Sequence, residues 1–255
     1  MLAIMQPYFL PYLGYLALLA RSRHLVLLDS VQYIRHGWVN RNRILHPADG
    51  WQYIQVPLVQ HPRDARIRDV RVDSRQNWAE RILGQLSHYK RRAPNYAQTA
   101  AFLADVFDGS SAETSIGGLN ARLLTSTAAI LGVEGHIQLV SRDELSFRPP
   151  IHAGDWALAI CEALGAREYV NPVSGAALFR EAEFRERGIE LSFLQMDDVV
   201  YSQRRTRFEP WLSVVDVMMF VPWDEIAGLI GKHRLVQHAE ALAVGNAPQS
   251  PPGSA

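Results

Sequence analysis

The sequence predicts an α/β fold, a mainly parallel sheet with helices on both faces and a small antiparallel excursion. Three observations carry the prediction. Short apolar runs alternate with helix-patterned segments at both ends of the chain. Helical segments of the second half stop at Gly132, Gly165 and Gly188, and glycine favours the left-handed turn that closes a helix. The stretches WQYIQVPL and ARIRDVRV instead alternate in two-residue steps, as half-buried strands do. The chain has 255 residues and is 48 % hydrophobic, enough to fill one large core.

Taken in order, LAIM at 2–5 is a buried strand, and QPYFLP is a loop bounded by prolines. Residues 13–20 form a helix, which Arg21, Arg23 and His24 close with the cations its dipole prefers. LVLL at 25–28 is a second strand. Strand, loop, helix and strand make a βαβ unit, normally parallel and right-handed. An insertion with antiparallel strands and helices is expected over about 34–110, its helices at about 75–90, capped by Asp73 or Ser74, and 96–107. Helices then fall at 119–131, 155–164 and 177–187, with strands at 137–140, 168–171 and 190–194. Closing helices fall at 211–220 and 223–230. The chain to residue 237 reads as one domain, and the Ala-, Gly-, Pro- and Ser-rich end from 238 to 255 reads as disordered. Pattern and order together describe a doubly wound, Rossmann-like sheet.

Composition narrows the function. Lys+Arg and Asp+Glu balance at 26 each, which argues against a dedicated nucleic-acid or anionic-membrane binder. No cation precedes the first apolar run and Pro7 and Pro11 interrupt it, so it reads as neither signal peptide nor membrane span, and a cytoplasmic protein is expected. The single cysteine, Cys161, reads as a core residue. The nine histidines lack metal-ligand spacing, so no metal site is expected, and no cofactor is identifiable.

Ligands of open parallel sheets bind beyond the carboxyl ends of strands. Four segments leave such ends: QPYFLPYLGY, DSVQY, NPVSG and MDDVVYSQRRTRF. Gln6, Asn171, Tyr201 and Gln203 are their candidate binding residues. Gly14 at a helix start would let an anion approach, or would simply pack helix on strand. The arrangement of Tyr12, Gly14 and Tyr15 between strand and helix resembles adenylyl-transferring enzymes that carry H-x-G-H there. Tyrosine, with a pKa near 10, cannot replace a cationic histidine clamp. Asp29 ends a strand, where carboxylates bind hydroxyls or act as bases, or else cap a turn. In GWVNRNRIL, an extended chain puts Asn40 and Asn42 on one face and Arg41 and Arg43 on the other. Two guanidiniums on one face suit an anion clamp, and the amides suit hydroxyls; an edge strand whose charges deter aggregation is the alternative. Gln32 would read hydroxyls too, and Trp38, Tyr12 and Tyr15 would stack on a ligand. Lys90 to Arg92 read as a solvated helix end, Asp197 and Asp198 as a solvated turn, and Ser213 with Asp216 as a capping box.

The run MQPYFLPYLGYLALLARS with LVLLDSVQYIRHGWVNRNRI resembles the opening signature of the WbqC-like proteins. HYKRRAPNY, LGAREYVNP, GIELSF and FEPWLSVVDVMM extend the resemblance over about 1–220. Ser30 stands where the signature has a second acid, and FVPWDEI where an Asn-Gly pair is common. The resemblance implies a transferase that modifies a sugar or related small molecule in surface-polysaccharide (O-antigen) or other biosynthesis. The expected partner is a phosphate- or carboxylate-bearing small molecule, with Arg41, Arg43 and Asp29 as the reacting set. A non-catalytic nucleotide- or nucleotide-sugar-binding protein is the alternative, and nucleic-acid binding a weaker one.

Overall fold

A computed structural model describes residues 1–110, 114–141 and 154–244. Strand β1 (Leu2–Met5) leads through a loop to helix α1 (Leu13–Ser22) and strand β2 (His24–Leu27). A hairpin of β3 (Arg41–Leu45) and β4 (Trp51–Gln55) follows, then α2 (Trp78–Leu86), α3 (Tyr96–Gly109) and α4 (Ile116–Ile130). Next come β5 (His136–Leu139), α5 (Asp155–Ala163), β6 (Glu168–Pro172), α6 (Glu181–Glu186) and β7 (Glu190–Met196). The chain closes with α7 (Val214–Phe220), α8 (Trp223–Ile230), β8 (His233–Val236) and α9 (His238–Val244).

Six strands form one sheet in the order β5-β2-β1-β6-β7-β8, parallel except for β8. The central strands β1 and β2 are almost wholly apolar because both faces of the sheet are covered there. Ala3, Leu25 and Leu27 face α1, α4, α7 and α8, while Leu2, Ile4 and Val26 face α5, α6 and α9. The antiparallel pair β3–β4 anchors a third core with Phe9, Ile44, Ile54 and Tyr89. The expected mainly parallel fold and its antiparallel excursion are therefore present. Among the described residues no helix is long and apolar enough to cross a membrane.

Several boundaries differ from expectation. The segment ARIRDVRV forms a short 3-10 turn at Ile67–Asp69 rather than a strand. Its fully buried residues are Ile67 and Val70, three apart, so burial follows a helical period. The helix expected at about 75–90 begins at Trp78, because Asp73 binds the Arg75 amide and closes a turn first. That expected over 177–187 breaks into a 3-10 turn, Val173–Leu178, and α6. α7 starts at Val214, where the Ser213 hydroxyl accepts from the Val215 amide; Trp211 precedes it with φ 59°. The tail expected to be disordered from 238 is helical over His238–Val244. Ala241 is buried there, and the His238 ring stacks on Phe193 at 5.4 Å. Residues 245–255 of that expected tail lie outside the described residues.

The three glycine stops share one closure. After α4, the Gly132 amide donates to Ala129 and the Val133 amide to Ala128, at 3.2 and 2.8 Å. Gly132 has φ 67° and nothing within 4 Å of a hypothetical Cβ. Its substitution therefore isolates backbone strain from packing. Gly132→Ala is expected to cost about 1 kcal/mol, or a drop of about 3 °C in melting temperature, read by thermal denaturation. An unchanged melting temperature would refute the strain account.

Candidate functional site

Sheet order reverses between β1 and β6: the chain moves from β1 to β2 on one side, then returns to β6 on the other. Ligands collect at such a switch because loops there diverge and leave a crevice. A cavity of about 420 Å³ opens at this point. Gln6 and Tyr8 enter it from the loop after β1, and Asn171 and Gly175 from the end of β6. Of the expected residues, Gln6, Tyr12, Tyr15, Gln32, Trp38, Asn42 and Asn171 line it. Asp29, Gly14, Asn40, Arg41, Arg43, Tyr201 and Gln203 do not, although Tyr201 lines a neighbouring cavity.

The tyrosines are neutral walls. Tyr15 donates to the Gln6 carbonyl at 2.9 Å and lies against Tyr8, with ring centroids 5.2 Å apart. Burial pushes the phenols of Tyr8 and Tyr12 up to about 12, and Tyr15 is held well above its ordinary value. Gly14 serves Tyr12: a Cβ there would stand 2.4 Å from the Tyr12 ring. The ring occupies the space beside the start of α1 that an anion was expected to use.

The N-R-N-R run is spent largely on backbone carbonyls. Asn42 donates to the carbonyls of Phe9 and Leu10, at 2.9 and 3.0 Å. Asn40 donates to Val56 at 3.0 Å and accepts from the Tyr33 hydroxyl. Arg43, only 4 % exposed, donates to the Trp211 carbonyl at 3.1 Å and lies over the rings of Trp38 and Trp51. Arg41 donates to the carbonyls of His36 and Gly37 and lies over Tyr53 at 4.1 Å. The expected faces are right, since both arginines reach the aromatic side of the hairpin. Leu10 and Trp211 both have positive φ, 41° and 59°, a costly conformation for bulky residues. Asn42, Arg43 and the Ser213 hydroxyl, 2.6 Å from the Leu10 carbonyl, hold these two residues in place.

Asp29 is fully buried. Its oxygens accept from the amide of Ser141, at 3.0 Å, and from the Ser141 hydroxyl. Burial raises its pKa, and the Ser141 hydrogen bonds oppose that shift. The carboxylate thus ties the end of β2 to the end of β5. Among the described residues, no group of three or more His, Cys, Asp or Glu side chains is placed to hold a metal.

A second cavity, about 470 Å³, lies between the segment leaving β7 and the one entering α7. Tyr12 lines both cavities, with its ring edge-on to Trp211 at 5.9 Å. Behind the second cavity Tyr201 and Gln203, expected to bind a ligand, instead gather with Tyr89 around Asp216, whose role the sequence reading missed. Asp216 is fully buried and accepts from Tyr89 at 2.5 Å, Tyr201 at 2.6 Å and Gln203 at 3.0 Å. The expected capping box is half present: Ser213 caps the helix, while Asp216 turns to the tyrosines. An acid inside the apolar run VVDVMMF was the available signal. Burial pushes the Asp216 carboxyl up to about 6, against the pull of its hydroxyl and amide partners.

A scan of protein families matches residues 6–227 to the WbqC-like protein family. The chain belongs to the WbqC-like protein family. The matched span takes in the β3–β4 hairpin, the whole lining of the second cavity and all of the first except Ile4 and Met5. A relative, Uncharacterized protein Rv1507c of Mycobacterium tuberculosis (strain ATCC 25618 / H37Rv), is 28 % identical over 221 residues. The alignment covers 86 % of this chain and 93 % of that protein. No solved structure matches the chain significantly.

The buried acid sets a pH dependence. Folded protein keeps the Asp216 proton to about pH 6, whereas an unfolded chain releases it near pH 4. The folded state binds more protons in that window, so this group's contribution to stability falls as pH rises through it. Asp216→Asn is expected to gain on wild type by about 3 kcal/mol between pH 4 and 6, with no further change above pH 7. Urea titrations across pH measure this difference, and a flat one would show that Asp216 titrates normally.

Proposed function

We propose that this WbqC-like protein is a transferase that modifies a sugar or a related hydroxyl-rich small molecule, held in the cavity between β1 and β6. One observation carries the reading. Trp38 lines that cavity, is 3 % exposed, and its indole N–H is buried with no hydrogen-bond partner. A buried donor without an acceptor costs about 1–3 kcal/mol, so a ligand oxygen is the natural partner for it. The amides of Gln6, Gln32 and Asn171 line the same cavity and suit hydroxyl groups, which both donate and accept. Ile34 and Leu178 stand 45 % and 61 % exposed at its lining, apolar surface that a bound ring would cover.

No Asp, Glu, Lys, Arg or His side chain lines this cavity among the described residues. It therefore suits the neutral, hydroxylated part of an activated molecule, with any anionic group outside it. The same observation supports a second reading, a non-catalytic nucleotide-sugar-binding protein. The lining phenols of Tyr8, Tyr12, Tyr15 and Tyr169 are all raised by burial, which leaves no general base at neutral pH among them.

A thermal-shift screen of free sugars, nucleotides and nucleotide sugars tests the reading, followed by product analysis. Stabilisation by a sugar-bearing compound is expected; stabilisation by none of them would overturn it. Trp38→Phe removes the orphan donor and is expected to weaken that ligand about tenfold, close to one hydrogen bond. Equal affinity for wild type and Trp38→Phe would show that the indole N–H does not meet the ligand. Binding without turnover by any pair of donor and acceptor would favour the binding protein.

A further inference from the structure

The second cavity differs in kind from the first. Its walls are apolar and aromatic, with Met196, Val199, Phe208, Trp211 and Val217 among them. Asp197 and Asp198 are the charged side chains of its lining among the described residues, and both are exposed at its edge. Neither is in an ion pair among those residues. The Tyr201 hydroxyl donates its proton to Asp216 and accepts from the Gln203 amide at 3.3 Å, so it presents no free N–H or O–H to compete with a cation in the cavity. Tyr12 and Trp211 meet edge to face at 5.9 Å, and Tyr201 and Phe208 do so at 5.3 Å. Carboxylates and aromatic faces both attract cations, and aromatic walls also cover an apolar body.

We propose that this cavity is a second ligand site, for an organic ammonium ion carried on an apolar or aromatic body. The ammonium sits at the Asp197–Asp198 edge and donates its N–H bonds to the carboxylates there. The apolar body lies against Trp211, Phe208 and Val217. The volume of about 470 Å³ falls in the range of small-molecule sites, roughly 300–1,000 Å³. Val200, 65 % exposed and part of the lining, is apolar surface left to water until a ligand covers it. Trp211 is held at positive φ by the Arg43 bond to its carbonyl, which keeps one wall in a costly backbone conformation. The site stands apart from whatever the first cavity holds, since the two have only Tyr12 in common.

Isothermal titration at neutral pH with three matched probes tests the assignment: 2-phenylethylamine, 2-phenylethanol and 3-phenylpropionate. The amine is expected to bind at least about tenfold tighter than the alcohol, which corresponds to about 1.4 kcal/mol, and the carboxylate weakest. The double variant Asp197→Asn, Asp198→Asn should bring the amine down to the affinity of the alcohol. Val200→Arg, at an exposed position that folding does not need, should abolish amine binding by placing a cation at the edge. Asn171→Ala, in the first cavity, should leave it unchanged. Equal binding of amine and alcohol, preference for the carboxylate, indifference to the aspartate variants, or no binding of any probe at millimolar concentration would each overturn the assignment. Loss of amine binding in Asn171→Ala would place the amine in the first cavity and overturn it too.

Discussion

The arrangement rests on hydrogen bonds from buried side chains to the carbonyls of buried loops. A loop that runs through the interior leaves backbone groups without helix or sheet partners, and each unpaired group is costly. In this chain the loop after β1 is such a case: Phe9 and Leu10 are fully buried or nearly so, and neither belongs to a helix or strand. Asn42 takes the carbonyls of Phe9 and Leu10, Asn120 those of Pro7 and Val39, and Arg43 that of Trp211. The hairpin and α4 are thereby tied to the loops that wall both cavities. Without those donors the loop would move to water, and the floor between β1 and β6 would lose its side.

The tie also explains how two cavities share one edge of the sheet. Tyr12 separates them, and its ring fits because Gly14 has no side chain. Trp211 meets Tyr12 from the other side and is fixed by Arg43. The arginine acts on the site through the backbone it holds, not through contact with the first cavity. One cavity is lined by neutral amides and tyrosines, the other by apolar walls with two carboxylates at the edge.

Much of the fold was legible in the sequence because its signals are local. Apolar runs marked β1, β2, β6 and β7, and Gly132, Gly165 and Gly188 marked helix ends, where all three have positive φ. Strand β8 was not legible: HRLV is short, half polar, and pairs with β7 at the sheet's edge. The site was legible in part. Gln6, Tyr12, Tyr15 and Asn171, singled out because they follow strand ends, and Trp38, singled out beside the N-R-N-R run, come together in the lining of one cavity. The use of Asn42 and Arg43 was not, because an amide or guanidinium binds a carbonyl as readily as a hydroxyl or phosphate, and spacing alone does not separate them.

By itself, the sequence determined most strand and helix periods, the glycine closures and the mainly parallel α/β class. These follow from side-chain size, backbone freedom and burial pattern over a few residues. Only the tertiary structure decided which polar side chains are spent on holding the chain and which are left to face a cavity. Asp216 meets Tyr89 from 127 positions away, and Arg43 meets Trp211 from 168. Partners so distant in the chain leave no trace in local pattern, because the energy of a buried polar group depends on what surrounds it after folding.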